Sequence, residues 1–143
     1  MMPALFDFEV YTPYRLFFSG KVEAVVLTLT DGEIGIYENH SLFAAPSLSC
    51  ILRIKDNKGE WRSAFVSEGI LEVKQGHFRD VLIVDSAEWP EEIDPVRARA
   101  AKEQAEKSLE SALMKFEIDS AKAKLRRAEC RLKACELKNS ATA

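Results

Sequence analysis

The chain has 143 residues, of which 47% are hydrophobic and 30% charged, and its formal net charge is −3. That much apolar material builds a core and excludes disorder over most of the length, and the slightly acidic balance excludes a dedicated nucleic-acid binder. Three cysteines, Cys50, Cys130 and Cys135, without a C-x-x-C spacing do not suit a disulfide scaffold and point to a reducing compartment.

The opening "MMPALFDFEV" lacks the basic start and long apolar stretch of a secretory leader. The longest aliphatic runs, "AVVL" at 24–27 and "VLIV" at 81–84, are far too short to span a bilayer. A soluble protein is expected, or one held at a membrane by others. Phe6, Phe8 and Val10 alternate with Asp7, Glu9 and Tyr11, a period of two that places one face on a core. "RLFFSG", "VEAVVLTLT", "CILRIK", "RSAFVS", "ILEVK" and "HFRDVLIVDS" follow at short intervals. Turn chemistry separates them at Ser19-Gly20, Asp31-Gly32, Asp56-Asn57-Lys58-Gly59 and Gln75-Gly76. Short strands without helices between them predict an antiparallel sandwich or barrel.

The stretch "TDGEIGIYENHSLF", residues 30–43, interrupts this pattern with two glycines, a carboxylate, an Asn and a His. Asn39-His40-Ser41 has the residue types of a triad, but neighbours in sequence rarely share catalytic geometry, so catalysis there is not expected. Gly32 and Gly35 suit a tight turn and a bulge, and His40 suits a turn anchor.

The period changes after Trp89-Pro90. Ala98, Ala101, Ala105, Leu109, Ala112 and Phe116 recur at spacings of three and four, with Asp94 placed to cap a helix and Pro95 to open it. A second stripe, Ala121, Leu125, Ala128, Leu132 and Cys135, follows "EIDS" at 117–120, where Asp119 or Ser120 can cap. The joint holds neither Gly nor Pro, so a hairpin and one continuous helix are both open to the pattern. The seam is mostly alanine, and a buried alanine contributes far less than the roughly 1.5–3 kcal/mol of a buried Leu or Phe. Weakly docked helices that can come apart and an ordinary stable hairpin are both open to this seam.

Charge is uneven. From Ala121 to Lys138 there are seven basic residues, among them Lys122, Lys124, Arg126, Arg127, Arg131 and Lys133, against two acidic ones. Such a face is either solvated or an electrostatic dock for an acidic partner or a phosphate. Arg127 and Arg131 stand one turn apart, and Arg97 lies near a helix N-terminus whose dipole favours anions. Two histidines in separate regions and no G-x-x-x-x-G-K-[ST] leave no metal site and no autonomous nucleotide hydrolysis.

Read together, these segments resemble the epsilon-subunit family of F-type rotary ATP synthases. "FEVYTPYRLFFSGKVEAVVLTLTDGEIGIYENH" resembles that family's T-P, F-x-G-x-V and G-x-x-G-I signature, in order and spacing. "FVSEGILEVKQGHFRDVLIVDSAEW" resembles its later hairpins, and "IDPVRARAA" and "RRAECRL" resemble segments of its two C-terminal helices. Two departures, His40-Ser41-Leu42-Phe43 in place of His-Ala-Pro-Leu and Cys50 in place of a Gly, mark a rebuilt loop over 41–50.

The resemblance implies an α+β protein: an antiparallel β-sandwich of about ten strands over residues 1–89, then a two-helix antiparallel hairpin over 90–143. It implies a non-catalytic rotor component, with the sandwich bound to the gamma subunit and the c-ring. The helices would regulate ATP hydrolysis by reaching the acidic C-terminal segment of the beta subunits within the alpha/beta core. Lys122, Lys124, Arg126 and Lys133 are the docking candidates. No cofactor is required, but ATP is implied as a regulatory ligand of Glu88, Ile93, Asp94, Arg97, Ala98, Arg127 and Arg131. Glu88 and Asp94 would serve base or sugar and the arginines phosphate. No nucleic acid and no direct membrane insertion are implied, and the place is the cytoplasmic face of the bacterial inner membrane, peripherally held. Two other classes remain open on the residues alone: a β-sandwich adaptor with a basic helical tail, and a free-standing nucleotide sensor.

Overall fold

Nine strands run in sequence: β1 Phe6–Tyr11, β2 Leu16–Leu29, β3 Gly32–Ile36, β4 Phe43–Ser47, β5 Cys50–Asp56, β6 Trp61–Val66, β7 Gly69–Val73, β8 Asp80–Val84 and β9 Ala87–Glu88. The computed structural model describes residues 4–38, 42–74 and 79–141, the last four by backbone alone. Among these residues the strands number nine against the expected ten or so. His40, Asn39, Ser41 and the Gln75-Gly76 turn lie outside the described residues.

The long strand β2 organises the sandwich. Its first half pairs with β1, and from Val22 onward it pairs with β5 and β3. One layer is therefore β4-β7-β8-β1-β2 and the other β3-β2-β5-β6-β9. All the pairings are antiparallel except β1 with β8. Ser19-Gly20, expected as a turn, lies inside β2. Gly20 stands across from Phe8 in β1, and the strand runs straight through because each half has its own partner strand. Gly35 makes no bulge either, since the register from Val25↔Ile36 to Leu29↔Gly32 is unbroken. Gly32 does carry a turn conformation, with φ 129°, which only a residue without Cβ adopts readily.

Period-two burial follows the prediction in β5, where Cys50, Leu52 and Ile54 point inward, and in β8, where Asp80, Leu82 and Val84 do. Phe8, Phe65, Leu27, Leu71 and Leu82 are fully buried, each a contribution of about 1.5–3 kcal/mol. In β1 the alternation fails at Glu9, which is 6% exposed. This strand has neighbours on both sides, and its carboxylate is held by Arg79 Nη1 at 3.2 Å and Ser19 Oγ at 3.3 Å. Paired in this way, a buried charge is tolerable. Cys50, the departure noted above, is also buried, and its Sγ accepts a hydrogen bond from the Thr28 amide at 3.4 Å. Gly69 lets β7 approach β8 closely, since an added Cβ would overlap the Ile83 carbonyl.

The second compact unit runs from Trp89 to Ala143. A 3-10 turn at Pro90–Glu92 is tied by the Trp89 amide donating to Glu92 Oε1 at 2.9 Å. Helix α1 spans Pro95–Ser111. Asp94 caps it as predicted, with Oδ1 accepting from the amides of Val96 at 3.0 Å and Arg97 at 3.3 Å. Helix α2 spans Lys115–Ala141 and packs on α1 and on the 3-10 turn. The chain therefore makes two helices rather than one continuous rod.

The joint lies at 112–114, not at 117–120. Ser111 Oγ donates to the carbonyls of Lys107 and Ser108, and the Ala112 amide closes on the Leu109 carbonyl, so three carbonyls of the final turns of α1 are occupied. The amides of Glu117 and Ile118 already bond Met114, which puts Asp119 and Ser120 inside α2. Phe116, expected in the buried stripe, falls after the reversal and is 69% exposed. Ala101 is exposed too, and the buried residues of α1 are Ala98 and Ala105.

Candidate anion-binding site of the helical unit

Helical geometry sorts the basic residues of α2 into two faces. At about 100° per residue, Lys124, Arg127 and Arg131 fall on one side, and Lys122, Arg126 and Lys133 on nearly the opposite side. The second set is exposed to solvent and forms an outer ridge. The first set lines a cavity of about 290 Å³ against α1, completed by Ala101, Gln104, Ala105 and Ser108. The docking candidate Lys124 thus belongs to a concave site, separate from the other three. Arg127 and Arg131, paired by sequence spacing, do share one site.

On α1 the cavity stripe is Ala101, Gln104 and Ser108, and its period extends back one turn to Arg97. Ile93, Asp94, Arg97 and Ala98 are not among the cavity's lining residues. Ile93 and Ala98 are buried, and Asp94 holds the helix cap. Glu88 belongs to the strand unit, as the last residue of β9, paired with Phe65. The seven ligand candidates are therefore divided, with two at the cavity, four at the start of α1 and one in the sandwich.

Sequence reasoning missed Gln104 and Ser108. Neither is charged, and their signal is positional: they share the turn-by-turn stripe of Ala101 and Arg97. Small Ala101 and Ala105 leave room for the long cationic side chains opposite. Among the described residues the cavity has no carboxylate in its lining. Three cations and two neutral hydrogen-bonding groups converge there, which is the chemistry for holding a polyanion.

The sandwich has a second concavity, about 640 Å³, with Pro46, Ser47, Ile70, Ile83 and Val84 in its lining. Ile70 and Ile83 are 56% and 54% exposed on neighbouring strands. Ser47 Oγ is buried without a hydrogen-bond partner among the described residues. Among those residues no helix is long and apolar enough to cross a membrane.

A strand-built unit followed by two helices defines a class, and the family comparisons agree with it. Residues 5–90 match the family model described as the ATP synthase delta/epsilon chain β-sandwich domain, and residues 91–136 match its long α-helix domain. The ATP synthase epsilon chain of Caldanaerobacter subterraneus subsp. tengcongensis is 44% identical over 92% of this chain and 94% of its own. That of Caldicellulosiruptor saccharolyticus is 47% identical over 93% of this chain and 95% of its own. In fold, the chain is similar to one in the Euglena gracilis mitochondrial ATP synthase structure, with TM-score 0.77 and 20% identity over 94% of this chain and 82% of that one. The chain belongs to the ATP synthase epsilon-chain family, as a non-catalytic subunit of that complex.

Proposed function

We propose that the chain is a rotor component at the foot of the ATP synthase central stalk, and that its helices set how fast the complex hydrolyses ATP. In this reading the sandwich binds the gamma subunit and the c-ring on the cytoplasmic face of a bacterial inner membrane and helps couple proton passage to rotation. The apolar concavity around Pro46, Ile70 and Ile83, with the unsatisfied Ser47 hydroxyl, suits a protein partner that brings its own hydrogen-bonding group.

The observation that carries the regulatory part is that α1 buries nothing larger than Ala98 and Ala105. A seam of alanines contributes little apolar stabilisation, so α1 and α2 can separate at modest cost. Released, α2 presents Lys122, Arg126 and Lys133 to an acidic segment of the beta subunits in the alpha/beta core. Folded, the helices line the cavity and bind ATP. Arg127 and Arg131 hold phosphate there, while Ile93, Asp94, Arg97 and Ala98 serve the nucleoside end. Ligand at a hundred times its dissociation constant stabilises the folded pair by about 2.7 kcal/mol, which a thin seam lets dominate.

The test adds the chain, with and without residues 94–143, to a cognate ATPase core lacking this subunit. The full chain lowers the hydrolysis rate and the truncated one does not; equal rates remove the regulatory assignment.

A further inference from the structure

We propose that Arg15 is a positioning residue for the helical unit: it clamps β9, the last strand of the sandwich, and so fixes the point from which the helices pivot. This rests on the regulatory reading above and assigns a residue that the reading itself leaves without a role.

The strand unit ends at Glu88 and the helical unit begins at Trp89. On each side of that boundary the backbone is tied locally. Within the helical unit the Trp89 amide donates to Glu92 Oε1, and the Ile93 amide closes on the Pro90 carbonyl. Within the strand unit β9 has only two residues, Ala87 and Glu88, which stand opposite Val66 and Phe65 of β6. So short a ribbon holds little by itself, since two strands alone are marginal in water. Ser86 adds an exchange with Ser67. The Ser67 amide donates to the Ser86 carbonyl at 2.9 Å, and the Ser86 amide donates to Ser67 Oγ at 2.9 Å. In an antiparallel pair, alternate residues turn their backbone groups toward the partner strand. Ser86 and Glu88 therefore face β6, and Ala87 between them turns its carbonyl away. Among the described residues β9 pairs with no strand on that side.

Arg15 occupies that side. Its Nη2 donates to the Ala87 carbonyl at 3.3 Å, across 72 positions of sequence. The guanidinium lies over the ring of Phe17, 5.0 Å from the centroid, and Phe17 is itself buried. A planar cation stacked on a ring has its donors aimed in advance. The backbone at Arg15 is fixed as well. Its amide donates to Thr12 Oγ1 at 3.1 Å, and its carbonyl accepts from the Thr12 amide at 3.0 Å. The side chain thus reaches β9 from an ordered turn, and β9 is held by β6 along one edge and by a cation on the other. Without this clamp residues 86–88 fray into tether and the pivot retreats toward Asp85. A longer tether lowers the effective concentration of the helices at their target.

The experiment combines hydrogen exchange of the full chain with inhibition of a cognate ATPase core lacking this subunit, for wild type, Arg15→Ala and Arg15→Lys. Arg15→Ala lowers protection of the Ser86 and Glu88 amides about tenfold, the loss of one charge-assisted hydrogen bond, and leaves the amides of β7 and β8 unchanged. It also lowers the maximal inhibition. Arg15→Lys keeps the charge without the stacked fork, and it follows Arg15→Ala in both measurements. Unchanged protection, protection lost equally from β7 and β8, or full rescue of inhibition by lysine overturns the clamp. Protection lost at Ser86 and Glu88 with inhibition intact overturns the positioning role. A wild-type chain that does not inhibit removes the regulatory reading and the positioning role with it, and the exchange profile still decides whether Arg15 clamps β9.

Discussion

Asp56 shows how a single residue organises a turn. Its Oδ1 accepts from the amides of Lys58 at 2.8 Å and Glu60 at 3.0 Å. The hydrogen bond from Glu60, and next that from Lys58, hold its carboxyl below the ordinary carboxylate value. Both bonds require the folded turn, so the folded pKa lies below the unfolded one. The stability they contribute is complete above the unfolded value and is lost as pH falls through the folded one. Urea midpoints of wild type and Asp56→Ala should differ by a constant amount at neutral pH and converge in acid. A gap that persists at the acid end would mean the turn is held by something other than this carboxylate. The Asp-Asn-Lys-Gly turn was legible because side-chain-to-backbone bonding is local. The burial of Glu9 was not, because Arg79 lies 70 positions away in sequence.

Helix α1 was readable from its N-terminal end. Asp94 and Pro95 mark the start through short-range geometry, and the structure places the cap there. In the proposed function the same carboxylate also serves a nucleotide, and the two roles separate by substitution. Asn caps a helix about as well as Asp, whereas Ala costs about 1 kcal/mol. Thermal unfolding followed by far-ultraviolet circular dichroism should therefore place Asp94→Asn with wild type and Asp94→Ala below it. If ATP affinity also falls in Asp94→Asn, the charge contacts ligand; unchanged affinity makes Asp94 a cap alone. The joint between α1 and α2 was misplaced for a physical reason. Residues 112–114 carry no breaker, and the helix stops where Ala112 takes an extended backbone conformation, φ −72° and ψ 132°, which any residue can adopt.

At the scale of the whole molecule, the outer ridge and the cavity of the helical unit are separate cationic surfaces. Lys122, Arg126 and Lys133 are exposed, so their attraction to an acidic partner is screened once ionic strength shortens the Debye length to about 8 Å at 0.15 M and about 3 Å at 1 M. If the ridge docks on the beta subunits as proposed, inhibition of ATP hydrolysis should weaken steeply with added salt. Reversing the ridge charges to Glu should abolish it at low salt while leaving ATP binding by the full chain unchanged. Salt-independent inhibition would place the contact on apolar surface, such as exposed Leu113 and Phe116 near the joint.

The amino-acid sequence alone determined the division into a strand-rich part and a helical part, the Asp56–Gly59 turn with its local hydrogen bonds, the alanine seam and the resemblance to a known family. These are properties of short windows and of residue order, and periodicity expresses them directly. Tertiary structure decided that β2 runs unbroken past Gly20, that Glu9 is buried, and that the helices turn at 112–114. It also decided that Lys124 joins Arg127 and Arg131 in a cavity with Gln104 and Ser108. Each of these depends on which distant strand or helix lies alongside, and a local pattern carries no record of its neighbour across the fold.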